Sequence, residues 1–160
     1  MAIEIRAFEA GDVDGVVEFA LRAWEPVFAS FEKVLGPEIY PLVYPDWRAS
    51  QAREVARTCT EHAERTLVAL SGEKLVGFAA CVYDEAESTG EIEMIAVDPD
   101  HQREGIAATL IEHSVEAMRK AGLKLAAIGT GGDPGHAPAR AAYEKAGFHP
   151  FPLVHYYKVL

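Results

Sequence analysis

Apolar residues recur along the chain with two different periods, and the changes of period mark the predicted elements. Apolar and polar residues alternate over residues 2–8, which predicts a strand. Asp12 then suits the N-cap of a helix whose apolar residues keep helical spacing as far as Trp24. Pro26 suits the first turn of a second helix, and Gly36-Pro37 would end that helix.

The rest of the pattern predicts further helices and strands. Residues 38–45, which two prolines interrupt, favour a loop or a short helical turn. After them we predict helices over residues 47–62, 105–121 and 138–146, and strands over residues 65–70, 74–83, 91–97, 123–128 and 151–159. The order β-α-α-α-β-β-β-α-β-α-β indicates an α/β (α+β) fold, in which helices cover the faces of a mixed sheet.

Length and composition favour a single globular domain. The chain has 160 residues, of which 49% are apolar, and this balance is typical of a domain with its own core. No run of about 18 apolar residues occurs, so we expect no membrane span. The acidic, alternating N-terminus does not resemble a secretory signal. The two cysteines are expected to stay reduced, which favours a cytoplasmic location.

Charge and ligand spacing exclude several classes of function. The formal net charge of −10 disfavours binding to nucleic acid, because Lys and Arg must neutralise its phosphates. It modestly favours a cationic substrate, although solubility alone also explains it. The six histidines lack ligand spacing, so we expect no metal site. Neither Cys59 nor Cys81 has a basic neighbour in its own element, so a cysteine nucleophile is disfavoured.

The stretch from Glu91 to Gly122 carries the clearest candidate chemistry. It contains a short apolar strand, a turn that ends near Gly105, and a helix. Gly105 lets the backbone approach a ligand closely, and the N–H groups of residues 103–108 are the unpaired donors of a helix start. These features suit a diphosphate, but an ordinary strand–loop–helix connection has them too. A dinucleotide fold is less favoured, because no GxGxxG follows the first strand.

Two linked motifs then indicate a particular class of protein. Gln102-x-x-Gly105-x-Ala107, which follows Asp98-Pro99, resembles the acyl-CoA-binding motif of the GNAT superfamily of N-acetyltransferases. Residues 139–148, ARAAYEKAGF, resemble the second motif of that superfamily. The match covers residues 65–160 well, and residues 1–64 only in the order of elements. The resemblance implies one N-acetyltransferase domain over residues 1–160, with a mixed, mostly antiparallel sheet of six to seven strands.

The resemblance also implies where acetyl-CoA would bind as cosubstrate, without a metal. The backbone of Ile95, Ala96 and Val97 would pair with the pantetheine arm. The pyrophosphate would lie against the motif that begins at Gln102 and against the amides of Arg103, Glu104, Gly105, Ile106, Ala107 and Ala108. His136 stands where the family commonly has an Asn that contacts the cofactor arm, so its contact with the cofactor would differ. His136 could instead cap the helix or face solvent.

Three side chains are candidates for the transfer itself. The resemblance places Tyr143 near the sulfur of CoA as a general acid, and core packing is its alternative role. Glu91 and Glu93 lie two apart on one strand and should share a face, where one could act as general base. Their alternative role is to attract a cationic substrate. Direct transfer to the amine needs no covalent enzyme intermediate.

The acceptor stays open at the level of sequence. We expect a primary amine of a small molecule or peptide, and aromatic residues in the first 47 positions either line its pocket or form core. A non-catalytic acyl-CoA sensor or interaction module is the alternative function. The resemblance also implies a homodimer as one arrangement, in which the C-terminal strand pairs across subunits.

Overall fold

A computed structural model describes residues 2–160, beginning with one strand and two helices. Strand β1 spans Ile3–Ala7, helix α1 spans Val13–Val43, and helix α2 spans Trp47–Glu61. Arg6 donates two hydrogen bonds, of 2.8 and 2.9 Å, to the carboxylate of Asp12, which holds β1 against the start of α1.

The predicted end of the second helix is confirmed, and its predicted start is wrong. Gly36, with a φ of 78°, interrupts α1 where the Gly36-Pro37 pair predicted a stop, and a further helical segment follows as far as Val43. No such break occurs at Pro26, so the first two predicted helices are one. Pro37 fixes a helical φ and needs no N–H donor at the start of a helical segment, so it suits the turn that follows the break. Residues 38–43 are therefore helical, where we expected mostly loop.

The second half of the chain supplies the rest of the sheet and two further helices. The strands are β2 (Thr66–Ser71), β3 (Lys74–Asp84), β4 (Thr89–Val97) and β5 (Leu125–Ile128), and the helices are α3 (Ile106–Lys120) and α4 (Ala137–Lys145). The sheet has the order β1-β2-β3-β4-β5. The first four strands are antiparallel neighbours and β5 runs parallel to β4, which confirms a mixed, mostly antiparallel sheet with helices.

The predicted count of six to seven strands is wrong, because the described residues form five. The missing strand is the one predicted over residues 151–159, which has no regular secondary structure and is exposed throughout. Pro150 and Pro152 supply no N–H to a ladder at the point where such a strand would begin. The strand predicted over residues 151–159 therefore does not form.

The sheet separates two apolar clusters, one on each face. Helices α1 and α2 contribute to the first cluster, where Phe19 and Val55 pack with Phe78 of β3. Helix α3 contributes to the second cluster, where Leu110 packs with Val76 and Ile92. Both faces of β3 and β4 are therefore covered, and the functional groups must lie where these strands end or separate.

The two cysteines are free, and each is buried in a different cluster. Burial raises the pKa of Cys59 to about 12 and also raises the pKa of Cys81. Neither thiol is therefore ionised near neutral pH, which agrees with their expected reduced state and argues against a nucleophilic role.

Candidate active site

A cleft opens where β4 and β5 separate. The two strands pair only from Thr89–Leu125 to Ile92–Ile128, after which β4 continues and the chain beyond β5 turns into a glycine-rich loop. The resulting cavity has a volume of about 1030 Å³ and is lined by β4, the first turn of α3, α4 and part of α1. Backbone groups of β4 beyond Ile92 are left without a strand partner on this side.

A β-bulge lies at the same point of β4. Ala80 of β3 is opposite Met94, whereas the next residue, Cys81, is opposite Ile92, so Glu93 is the extra residue. Ile92 and Met94 accordingly pack into clusters on opposite faces of the sheet. The bulge interrupts the alternation at Glu93 itself, so the shared face of Glu91 and Glu93 stays a prediction.

The two carboxylates consequently have different surroundings. Glu93 lines the cavity. Glu91 lies beside the glycine-rich loop, where its Oε1 is 3.9 Å from the position that a Cβ on Gly129 would occupy. Glu93 is therefore the one of these two carboxylates that is placed to meet a ligand in the cavity.

The first turn of α3 presents backbone amides to the other end of the cleft. Gly105 is the N-cap with a φ of 79°, and the first helical hydrogen bond runs from the Thr109 N–H to the Gly105 carbonyl at 3.0 Å. The preceding N–H groups have no carbonyl within the helix, and the helix dipole adds positive potential there. Arg103 also has a positive φ, of 66°, so the turn presents both its backbone and a cation. This geometry suits a diphosphate.

A buried carboxylate holds the connection that leads from β4 to this turn. Asp98 is fully buried, and it accepts hydrogen bonds from Arg22 at 3.1 and 3.2 Å. Lys74 Nζ is 3.2 Å from Asp98 Oδ2, and the Asp100 N–H donates to Oδ1 at 2.9 Å. Burial alone would raise the pKa of Asp98, but these donors outweigh burial and bring it to about 2. The carboxylate is therefore ionised at neutral pH.

The cavity brings most of the predicted cofactor residues together. Ile95, Ala96, Val97, Gln102, Arg103, Gly105, Ile106, Ala107, Ala108 and His136 all line it, and Glu104 does not. Glu104 instead lies 3.4 Å from His101 Nδ1. Free β4 backbone, a bare glycine turn and unpaired amides fit an elongated ligand with a diphosphate, as acyl-CoA is. Within residues 2–160 no group of His, Cys, Asp and Glu is arranged to hold a metal ion.

Tyr143 lies on α4 and lines the same cavity as Glu93. Its ring is partly buried and packs against the second apolar cluster, to which α3 contributes (the α3-side cluster). Burial raises the pKa of its hydroxyl, so Tyr143 is protonated at neutral pH and able to donate a proton or a hydrogen bond.

The glycine-rich loop holds His136 in a network with two residues that the sequence did not single out, Asp133 and Ser30. His136 Nδ1 lies 2.5 Å from Asp133 Oδ1, and Ser30 of α1 donates to Asp133 Oδ2 at 2.7 Å. Arg140 donates to the carbonyls of Gly131 and Asp133 at 2.7 and 2.8 Å. Asp133 and His136 are three positions apart, so their contact could have been predicted from the sequence. The contact between Asp133 and Ser30 spans more than a hundred positions and could not.

The aromatic residues of the first 47 positions divide between core and cavity. Phe28 and Trp47 are buried and stack with ring centroids 4.3 Å apart, so these two form core. Trp24 packs edge-on against Phe78 and also lines the cavity, together with Pro26 and Val27. Glu93 lines the same cavity, which therefore combines this apolar surface with a carboxylate.

The fold and the cleft together define an α/β protein whose cleft joins the free backbone of β4 to the amides at the start of α3. The sequence model of the Acetyltransferase (GNAT) family matches residues 29–148, and the chain belongs to that family. This confirms the resemblance that the two motifs indicated. None of the helices in residues 2–160 combines the length and apolar character that a membrane span requires.

Similar proteins of known sequence or structure agree with this assignment. The uncharacterized N-acetyltransferase YsnE of Bacillus subtilis (strain 168) is 31% identical over 80 residues, which are 50% of this chain and 52% of YsnE, so the match spans about half the length of that curated relative. The paia N-acetyltransferase of Thermoplasma acidophilum, in complex with coenzyme A, has a TM-score of 0.66 at 19% identity, covering 91% of this chain and 88% of its own. The ribosomal-protein-S18-alanine N-acetyltransferase of Escherichia coli has a TM-score of 0.65 at 21% identity, covering 94% and 80%.

Proposed function

We propose that this protein is an acetyl-CoA-dependent N-acetyltransferase that moves an acetyl group directly from the CoA thioester to a primary amine of a small molecule or peptide. The observation that carries this proposal is the shared cavity, which joins the amides at the start of α3 to Tyr143 and Glu93. The similar fold of the paia N-acetyltransferase, solved with coenzyme A, supports the choice of donor.

The cleft would hold acetyl-CoA along its length. The amides of residues 103–108 would bind the pyrophosphate, since they have no partner within α3. The β4 backbone at Ile95–Val97 would pair with the pantetheine arm in the way that an added strand pairs with a sheet edge. Both contacts use backbone groups, so the site would depend on local conformation more than on side-chain identity.

The transfer requires a nucleophilic amine and a stabilised leaving group. The amine nitrogen forms a bond with the thioester carbon while the carbon–sulfur bond breaks, and Tyr143 would protonate the departing sulfur. Backbone N–H groups of β4 near Ile95 or Val97 would polarise the thioester carbonyl. Holding both reactants in one cavity supplies the proximity that a direct transfer needs.

The acceptor would enter from the α1 side of the cavity. Glu93 would attract the ammonium form of the amine, while Trp24 and Val27 offer apolar surface to the group that carries it. Glu91 would lie at the edge of this region, near Gly129. A cytoplasmic location and a homodimer stay predictions.

Release of free CoA tests the proposal directly. We would incubate the protein with acetyl-CoA and a panel of aryl-alkyl amines, polyamines, amino sugars and short peptides, and identify acetylated products by mass spectrometry. Acetyl-CoA-dependent mass gain in one amine class would support an enzyme. Tight binding of acetyl-CoA without turnover of any class would favour the acyl-CoA sensor and contradict the proposal.

Glu93→Gln is expected to raise the KM for the acceptor amine about tenfold, because it removes a charged partner of the ammonium from a site that solvent partly screens. The KM for acetyl-CoA should stay unchanged. Steady-state kinetics with each substrate varied in turn would measure both values. Glu87→Gln makes the same charge change in the β3–β4 turn, outside the cavity, and should leave both unchanged. An unaltered acceptor KM in Glu93→Gln would contradict the assignment.

A further inference from the structure

His136 is held in the cleft by a network that its predicted role as a cofactor contact does not require. Its Nδ1 contacts Asp133, whose side chain is only 8% exposed. Asp133 Oδ2 accepts two further hydrogen bonds, from the Ser30 hydroxyl at 2.7 Å and from the Gly135 N–H at 3.0 Å. The ring centroids of Phe31 and His136 lie 5.4 Å apart, so Phe31 limits rotation of the imidazole. A side chain fixed to this degree has a defined orientation toward the cavity.

The network also fixes which nitrogen of His136 carries a proton. Burial alone would raise the pKa of Asp133, but the hydrogen bonds from His136 and Ser30 outweigh burial and lower it. Asp133 is therefore an ionised acceptor at neutral pH, and the Nδ1 that it contacts must carry the hydrogen. In the neutral imidazole the lone pair then lies on Nε2, for which the described residues supply no hydrogen-bond partner.

We propose that His136 takes the proton from the acceptor amine through Nε2, and that Asp133 is the positioning residue for this step. The inference rests on the proposed acetyl transfer. His136 lines the same cavity as Glu93 and Tyr143, whereas Glu91 does not line it. An imidazole whose Nδ1–H is held against an ionised carboxylate is oriented to accept a proton at its other nitrogen.

The proton balance of this step is complete. The ammonium first releases one proton to water, which frees the nitrogen lone pair. The carbon–nitrogen bond then forms as the carbon–sulfur bond breaks, the next N–H proton passes to His136 Nε2, and Tyr143 gives its proton to the sulfur. The products are the amide and CoA thiol. Water at the open cavity then accepts the proton from His136 and reprotonates Tyr143. The ionised Asp133 stabilises the imidazolium while the proton is held there.

Several other charged or titratable groups lie near His136 and would influence how the reaction rate depends on pH. Asp133 contacts it within the loop. Burial chiefly raises the pKa of Tyr44, which follows the last residue of α1, and the charge of Asp133 adds to this effect. Arg140 of α4 donates to the loop carbonyls. Glu93 and Tyr143 share the cavity.

The test compares the pH profile of kcat/KM for the amine in wild type, His136→Asn and His113→Asn. His113 is exposed on α3 outside the cavity and controls for loss of a histidine. We expect His136→Asn to lower kcat about 100-fold and to flatten the dependence of kcat/KM on pH, with an unchanged KM for acetyl-CoA. A raised KM for acetyl-CoA with an intact pH profile would instead make His136 a cofactor contact and overturn the proposal.

Two further variants keep the proposal falsifiable if His136→Asn folds poorly. His136→Ala should regain part of its turnover when imidazole is added, because free imidazole can occupy the vacated space and accept the proton. Asp133→Asn should retain His136 and acetyl-CoA binding but lose about tenfold or more in kcat, since the amide no longer fixes the ring. No rescue by imidazole, in a variant whose melting temperature matches wild type, would contradict the proposal. Absence of turnover by wild type itself would overturn the proposed function as well.

Discussion

Tyr143→Phe is expected to lower kcat about 100-fold while changing the KM for acetyl-CoA less than twofold. General acids contribute about 10²–10⁴-fold to a rate, and a thiolate is a good leaving group, so we place the effect at the low end of that range. The Phe ring preserves the packing of Tyr143 against the α3-side cluster, so the change isolates the hydroxyl. Stopped-time assays of CoA release would provide both constants.

The effect should fall on the chemical step because the hydroxyl has a proton to give. Burial raises the pKa of Tyr143, so the group remains protonated across the neutral range. Tyr156→Phe is the matched control, since Tyr156 is 85% exposed and lies in the C-terminal segment away from the cavity. A Tyr143→Phe variant with unchanged kcat but a weaker affinity for acetyl-CoA would show that the hydroxyl binds the cofactor and does not protonate sulfur.

Local pattern was sufficient to predict the elements that depend on neighbouring residues. The β2–β3 hairpin was predicted because two apolar runs flank Ser71-Gly72-Glu73, and the structure places the strands at Thr66–Ser71 and Lys74–Asp84. The helix start at Gly105 was predicted from the helical spacing of the apolar residues that follow it, and the structure has Gly105 as the N-cap with a φ of 79°. These features depend on residues that are close along the chain.

Features that depend on pairing between distant segments could not be predicted in this way. The apolar and aromatic residues 151–159 predicted a strand, but their composition does not tell whether a sheet edge is available to pair with it. The bulge at Glu93 is a property of the register between β3 and β4, so spacing within β4 alone could not reveal it. The Ser30–Asp133 contact joins α1 to the glycine-rich loop and required the folded chain.

Asp98→Asn is expected to lower the free energy of unfolding by about 2–3 kcal/mol at pH 7. The carboxylate is fully buried and accepts charge-assisted hydrogen bonds from Arg22 and Lys74, which an amide oxygen replaces poorly. The loss should lie below the 3–5 kcal/mol typical of a broken buried pair, because both cations remain partly exposed and regain water. Urea unfolding followed by circular dichroism would measure it.

The dependence of this difference on pH identifies its cause. The pKa of Asp98 is about 2 in the folded chain, below the value of about 3.9 for an unfolded Asp, so ionised Asp98 stabilises the fold above the unfolded value. That contribution is lost as pH falls toward 2, and the gap between wild type and Asp98→Asn should therefore narrow between about pH 5 and 2. Asp100→Asn alters the same connection at a side chain that is 73% exposed and 3.7 Å from Arg22, and should change stability by less than about 0.5 kcal/mol. A gap that stays constant across this range would show that Asp98 acts through its shape and not through its charge.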